Sequence, residues 1–222
     1  MKTTVIRRDI GNWCERVDGV ALLLTVMMTL LVTALGSAII VLTTTETTLT
    51  RTHRLGLQTL SAAEAGLEWA VLELRQMPDW TPVLGGAIRS RFEADDPTPA
   101  MADGFTVDLR SLGAALQREA DRERSLNPNA PRWTLFSHGW LEDLLGKPAP
   151  TPLYLAVWTA DDAAEHDGDP AVDTNGRVMV RAEAFGPFRA RRVIEASVTR
   201  ETPPAGTSGG DYARLSAWRL IR

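Results

Sequence analysis

Residues 19–45, GVALLLTVMMTLLVTALGSAIIVLTTT, contain no charged side chain. A helix rises about 1.5 Å per residue, so crossing the hydrocarbon core of a bilayer takes roughly 20 apolar residues. The run 20–42 has that length and is dominated by Leu, Val, Ile, Met and Ala. Its scattered Thr, Ser and Gly are residues a helix in lipid tolerates. A core helix of a soluble protein seldom stays uncharged this long, because its solvated face carries polar and charged residues, and here only Thr, Ser and Gly interrupt. The expectation is a membrane-spanning helix over 20–42.

The flanks decide what kind of insertion this is. Before the run, Lys2, Arg7, Arg8 and Arg16 outnumber Asp9, Glu15 and Asp18. The positive-inside rule then keeps this end cytoplasmic and sends the remainder of the chain out. A secretory signal peptide would have a shorter apolar core and a small-residue cleavage site followed by loop-like sequence. Neither is present; the polar leader stops at Gly19 and the apolar run starts at once. Cys14, the only cysteine, lies before the run, so the exported part has no disulfide and must rely on its core, or on its core and a metal.

After Leu42 no proline occurs until Pro78. Leu49, His53, Leu57, Leu60, Ala63, Leu67, Ala70 or Val71, and Leu74 recur in steps of three and four, the spacing of one helix face. Glu46, Arg51, Arg54, Gln58, Glu64, Glu68 and Glu73 fall on the other face, expected to be solvated. One helix over 20–77 would span on the order of 85 Å, with a softer or bent section in the Thr-rich stretch 43–52.

A charged leader ending in glycine, an aliphatic run and an unbroken amphipathic extension together resemble the class III leader and N-terminal helix of the type IV pilin superfamily. The resemblance implies a leader over 1–19, cut by a prepilin peptidase between Gly19 and Val20, with N-methylation of Val20. Most pilins have a glutamate as fifth residue after the cut; this chain has Leu24. That glutamate is thought to pair with the N-terminal ammonium of a neighbouring subunit, and a bare charge in lipid is costly. A subunit at a filament tip has no subunit ahead of it and no need of the pair. The alanine- and glutamate-rich segment 60–74 is similar to the X-type (PilX-like) minor pilins. That family implies a subunit that initiates or supports pilus assembly at the tip and presents an adhesive surface. Its implied partners are other minor pilins, major pilin subunits, the prepilin peptidase and the inner-membrane assembly platform. Its implied location is the inner membrane, with the C-terminal domain periplasmic, and then the pilus tip. Two alternatives stay open. A K-type pseudopilin of a type II secretion system also lacks the glutamate, but usually carries a larger, mainly helical insertion. An unprocessed single-pass anchor for a binding domain is the other.

The globular part, 78–222, reads as α+β. Phe105 to Leu109 alternates like a strand, Ser111 is placed to cap a helix running to about Arg124, and 127–131 is a turn. A short strand over 133–136 precedes a helical turn over 140–145. Three longer strands follow, over 153–159, 177–185 and 190–199, the last two a hairpin broken by Gly186-Pro187, and a final strand covers 212–221. In 177–185, Val178, Val180, Ala182 and Ala184 share one face, and Met179, Arg181 and Glu183 the other. Four mostly antiparallel strands need an apolar cover, and the long helix offers one. The result is the pilin-like arrangement of a long N-terminal helix packed on a C-terminal antiparallel sheet.

Candidate chemistry concentrates in DDAAEHDGDPAVDTN, residues 161–175. Asp161, Asp162, Asp167, Asp169, Asp173 and Asn175 are the candidate ligands for Ca2+, a hard cation that takes six to eight oxygens. The spacing does not match the twelve-residue EF-hand loop, and a solvated acidic turn is the competing reading. Enzymatic readings find little. His53, His138 and His166 fall on three different elements, and no HExxH, P-loop or dinucleotide fingerprint occurs. The match to G-x-S-x-G at 206–210 lacks the strand and helix a nucleophile elbow needs. A net charge of −4 argues against nucleic acid, and Arg189, Arg191 and Arg192 near the hairpin turn read as solubility charge.

Overall fold

The computed structural model describes residues 11–124, 130–165, 167–201 and 212–221. The chain forms two compact units, one ending at Thr52 and one beginning at His53. Helix α1 (Gly11–Leu74) contributes to both. The Thr-rich stretch stays helical without a break. The hydroxyls of Thr43, Thr44, Thr45, Thr47, Thr48 and Thr52 each donate to the carbonyl four residues back, which satisfies them inside the helix.

Helix α1 ends at Leu74, three residues before the expected end. The amides of Gln76 and Met77 bond the carbonyls of Glu73 and Leu74, tightening the last turn ahead of Pro78. The Trp80 indole N–H also donates to the Leu74 carbonyl, at 2.9 Å. A short helical turn, α2 (Thr81–Leu84), stands where the sequence reads as loop. Helix α3 (Leu109–Arg124) ends where expected but starts earlier. Its cap is Asp108, whose Oδ1 accepts from the amides of Arg110 and Ser111, while the Ser111 hydroxyl donates to Oδ2. That cap takes over the end of the strand expected at 105–109; only a single bridge, Ala100 to Thr106, forms there.

The sheet has five strands rather than four: β1 (Thr134–Trp140), β2 (Tyr154–Asp161), β3 (Arg177–Gly186), β4 (Ala190–Glu201) and β5 (Tyr212–Ile221). They lie in chain order and every neighbouring pair is antiparallel. Strand β1 runs beyond the expected 133–136 because β2 pairs along it as far as Trp140↔Tyr154. Helix α4 (Leu141–Leu145) follows and stops at Gly146, whose φ of 64° is the left-handed cap glycine adopts without strain.

One face of the sheet packs on α1. Ala62, Ala63, Leu67, Ala70 and Leu74 share a core with Leu155, Val157, Val180, Ala182, Ile194 and Ala196. Small residues let the helix lie close: a Cβ built on Gly66 would sit 3.4 Å from Val157 Cγ2. The alanine-rich segment thus has a packing role. The stripe is narrower than its periodicity implies, since Leu49, His53 and Leu57 are exposed. Glu73, expected on the solvated face, is buried; its Oε1 accepts from the Arg91 amide and side chain. The opposite face of the sheet is covered too. Tyr154, Ala156 and Phe185 pack with Met101, Val107 and Leu109. Helix α3 crosses Trp158 at Gly113, where a Cβ would fall 2.8 Å from the indole ring, so only glycine permits that approach.

Candidate functional site

Two regions hold the residues singled out by the sequence. The first is the N-terminal part of α1, a helix long and apolar enough to cross a membrane. Gly19, Val20 and Leu24 lie within it and are exposed, as are the large apolar residues from Val20 to Leu42. Apart from the backbone of its own helix, nothing among the described residues lies within 4 Å of a Cβ built on Gly19, so packing there does not demand glycine. A glycine inside a helix costs about 1 kcal/mol relative to alanine. Gly36 has the same open surroundings, within an apolar run where small residues let helices approach closely.

The second region is the loop between β2 and β3. Strand β2 ends at Asp161, paired with Val178 at the start of β3. The chain then folds back through a set of side-chain bonds to backbone. Glu165 Oε1 accepts from the Thr174 amide at 2.8 Å and from the Thr174 hydroxyl. Asp169 accepts from the Ala171 amide, and Asp173 from the amides of Gly176 and Arg177. Asn175 donates to Asp162, which also faces Arg177 at 3.9 Å. Gly168 and Gly176 take φ of 81° and 71° in the tight turns.

This folding sorts the six predicted ligands. Asp161 and Asp167 come together, joined by Glu165, which was outside the predicted set; one oxygen from each of the three lies within 4.8 Å of the others. Asp162, Asp169, Asp173 and Asn175 are not in that group and instead shape the loop. Burial, reinforced by the adjacent Glu165 carboxyl, holds the Asp161 carboxyl well above the usual carboxylate range. Burial also raises Asp173, against the amides it accepts from. Glu165 was visible in the sequence as one more acid of the stretch. Its selection depends on Thr174, nine residues on, which no local spacing marks.

His53 and His138, the two histidines among the described residues, do not meet. His53 is exposed on α1, His138 is buried on β1, and His166 lies outside the described residues. His138 Nδ1 is 2.8 Å from the Tyr154 hydroxyl, which donates to the Asp96 carbonyl. That leaves Nδ1–H as the donor to the Tyr154 oxygen. Burial pulls the His138 pKa below 6.5, outweighing the attraction of Glu93. Below about 6.5 the unfolded chain takes up a proton that the folded chain refuses, so stability falls as pH drops through that window. Melting curves at about pH 7.5 and 5.5 should show a smaller loss for His138→Gln than for wild type; equal losses would remove His138 as the source.

The arginine cluster is occupied rather than free. Arg191 bonds Glu183 at 2.6 Å, Arg189 lies over the Phe105 ring and Arg192 bonds the Arg191 carbonyl. The stretch 206–210 and most of the turn at 127–131 lie outside the described residues. An apolar groove of about 800 Å³ runs between α1 and β5, with Leu72, Leu215 and Trp218 exposed along it. Compared with protein-family models, curated proteins and solved structures, the chain shows no match.

Proposed function

We propose that this chain is a minor pilin of a type IV pilus, similar to the X-type subunits, that initiates or supports assembly at the pilus tip and contributes to adhesion. The observation that carries the reading is the single helix α1. Its stretch 19–45 is uncharged and exposed, its last part supplies the apolar cover of an antiparallel sheet, and the charged residues of the leader stop at Gly19, where the uncharged stretch begins. The role is mechanical and not enzymatic. The apolar run holds the subunit in the inner membrane, N-terminus in the cytoplasm and globular domain in the periplasm. After extraction the same surface packs with other helices in the filament. Gly19 supports the reading because no packing contact among the described residues accounts for it. Leu24 suits a subunit with none ahead of it. The helices described after Leu74 are short, the longest being the 16 residues of α3, which favours the pilus over a K-type pseudopilin.

The test is processing. Co-expressed with a prepilin peptidase, the wild-type chain should lose the mass of residues 1–19 and gain one methyl group on Val20. Gly19→Val should stay at full mass. A wild-type chain of unchanged mass would leave the unprocessed membrane anchor as the better reading.

A further inference from the structure

We propose that Asp161, Glu165 and Asp167 form a calcium site at the end of β2 that fastens the loop 162–176 to the sheet. The assignment rests on the loop's own geometry and does not depend on the pilin reading. Acidic side chains often gather on a surface without a ligand. What separates this group is Asp161, 1 % exposed, with neither carboxylate oxygen in a hydrogen bond. An ionised carboxylate buried without partners is too costly to persist, so it must be neutralised. Of the two arginines at this end of the sheet, Arg177 faces Asp162 and Arg200 lies over the Trp80 ring instead. Two neutralisers fit: a proton shared with Glu165, or a cation held by all three carboxylates.

The surroundings favour the cation. A shared proton needs only two of the acids, yet the loop brings a third to the same point. Asp161 stands on a paired strand and Glu165 is fixed by Thr174, so two donors are held in place before any ion arrives. Asp167 is exposed and opens the group to solvent, which gives an ion a way in and water a way to fill remaining positions. The donors are all carboxylate oxygens, which select hard cations. Calcium accepts an irregular shell of six to eight oxygens, whereas magnesium demands a near-ideal octahedron and keeps most of its water. A bound ion would cross-link β2 to the loop, the service a disulfide performs in many exported domains.

The full-length chain in detergent, stripped with a chelator, would be titrated with CaCl2 by calorimetry at neutral pH, with melting curves in parallel. The expected result is one equivalent bound and a melting temperature that rises with calcium and returns on chelation. Asp161→Asn and Asp167→Asn should each weaken binding at least tenfold. Asp169→Asn, which touches only its own turn, should bind as wild type does. No heat and no melting shift for wild type at several millimolar calcium would overturn the site. So would wild-type affinity in Asp167→Asn, an exposed position whose variant should fold even if Asp161→Asn does not. A third overturning result is a calcium-free Asp161→Asn chain more stable than wild type with no calcium response in either, the signature of a shared proton.

Discussion

Replacing Arg181 with alanine is expected to lower the stability of the globular unit by about 3 kcal/mol, the lower end of what removing one partner from a buried ion network costs. Arg181 sits mid-strand on β3, on the sheet face turned away from α1. Its Nε donates to Glu183 at 2.8 Å and its Nη1 to Glu195 at 3.3 Å. Both glutamates are buried, Glu183 at 2 % and Glu195 at 5 % exposure. Arg191 bonds the far oxygen of Glu183 and Arg219 that of Glu195, so five charges alternate across three strands. Without Arg181 each glutamate keeps one arginine, but Arg191 and Arg219 are largely solvated and compensate weakly. That is why the loss falls at the low end.

The network makes two further results checkable by urea denaturation followed through tryptophan fluorescence. Arg191→Ala, at the solvated end, should cost no more than about 1 kcal/mol. Replacing Arg181, Glu183 and Glu195 together with Met or Leu should recover most of the loss, because a packed apolar cluster needs no compensating charge. An Arg181→Ala chain within about 0.5 kcal/mol of wild type would mean the glutamates are reached by water or protonated instead.

The other large effect is expected at Trp80, where truncation to alanine should cost about 3–5 kcal/mol. Trp80 is 1 % exposed and lies in the main core with Leu74, Val83 and Leu84. It also terminates α1, through the bond from its indole N–H to the Leu74 carbonyl, and carries the Arg200 guanidinium 4.4 Å above its ring. Trp80→Phe separates the contributions. It keeps much of the apolar volume, removes the donor and leaves a buried carbonyl with less compensation, for about 1–2 kcal/mol. If phenylalanine cost as much as alanine, the bond to Leu74 rather than cavity formation would dominate.

The elements themselves were largely legible in the chain. Steps of three and four mark α1, and strict alternation marks β3 and β4, because those periods follow directly from backbone geometry. Gly146 and Pro78 stop their elements by φ and by a missing N–H, both properties of one residue. The misplacements have one origin. Phe105 to Leu109 alternates like a strand, yet Asp108 caps a helix there; β1 outgrew its apolar core because β2 was available to pair with it. In each case a partner distant in sequence, or a side chain bonding backbone, outweighed a local preference.

Burial of charge was not legible at all. Glu73 reads as the solvated side of a helix and Arg181 and Glu183 as the second face of a strand, since alternation shows that a strand has two faces but not what covers the second. Helix α3 and its preceding loop cover it, and the charges survive only as a network. The acidic loop divides the same way. Its composition alone established an oxygen-rich turn suited to a hard cation. Which carboxylates converge was decided by Thr174 and Asn175 reaching back across the loop, and by β2 carrying Asp161 into the interior. The uncharged run of α1 needed no such help, because the length and hydropathy that suit a helix to a bilayer are properties of contiguous residues, whereas a site is a property of residues that only the fold makes neighbours.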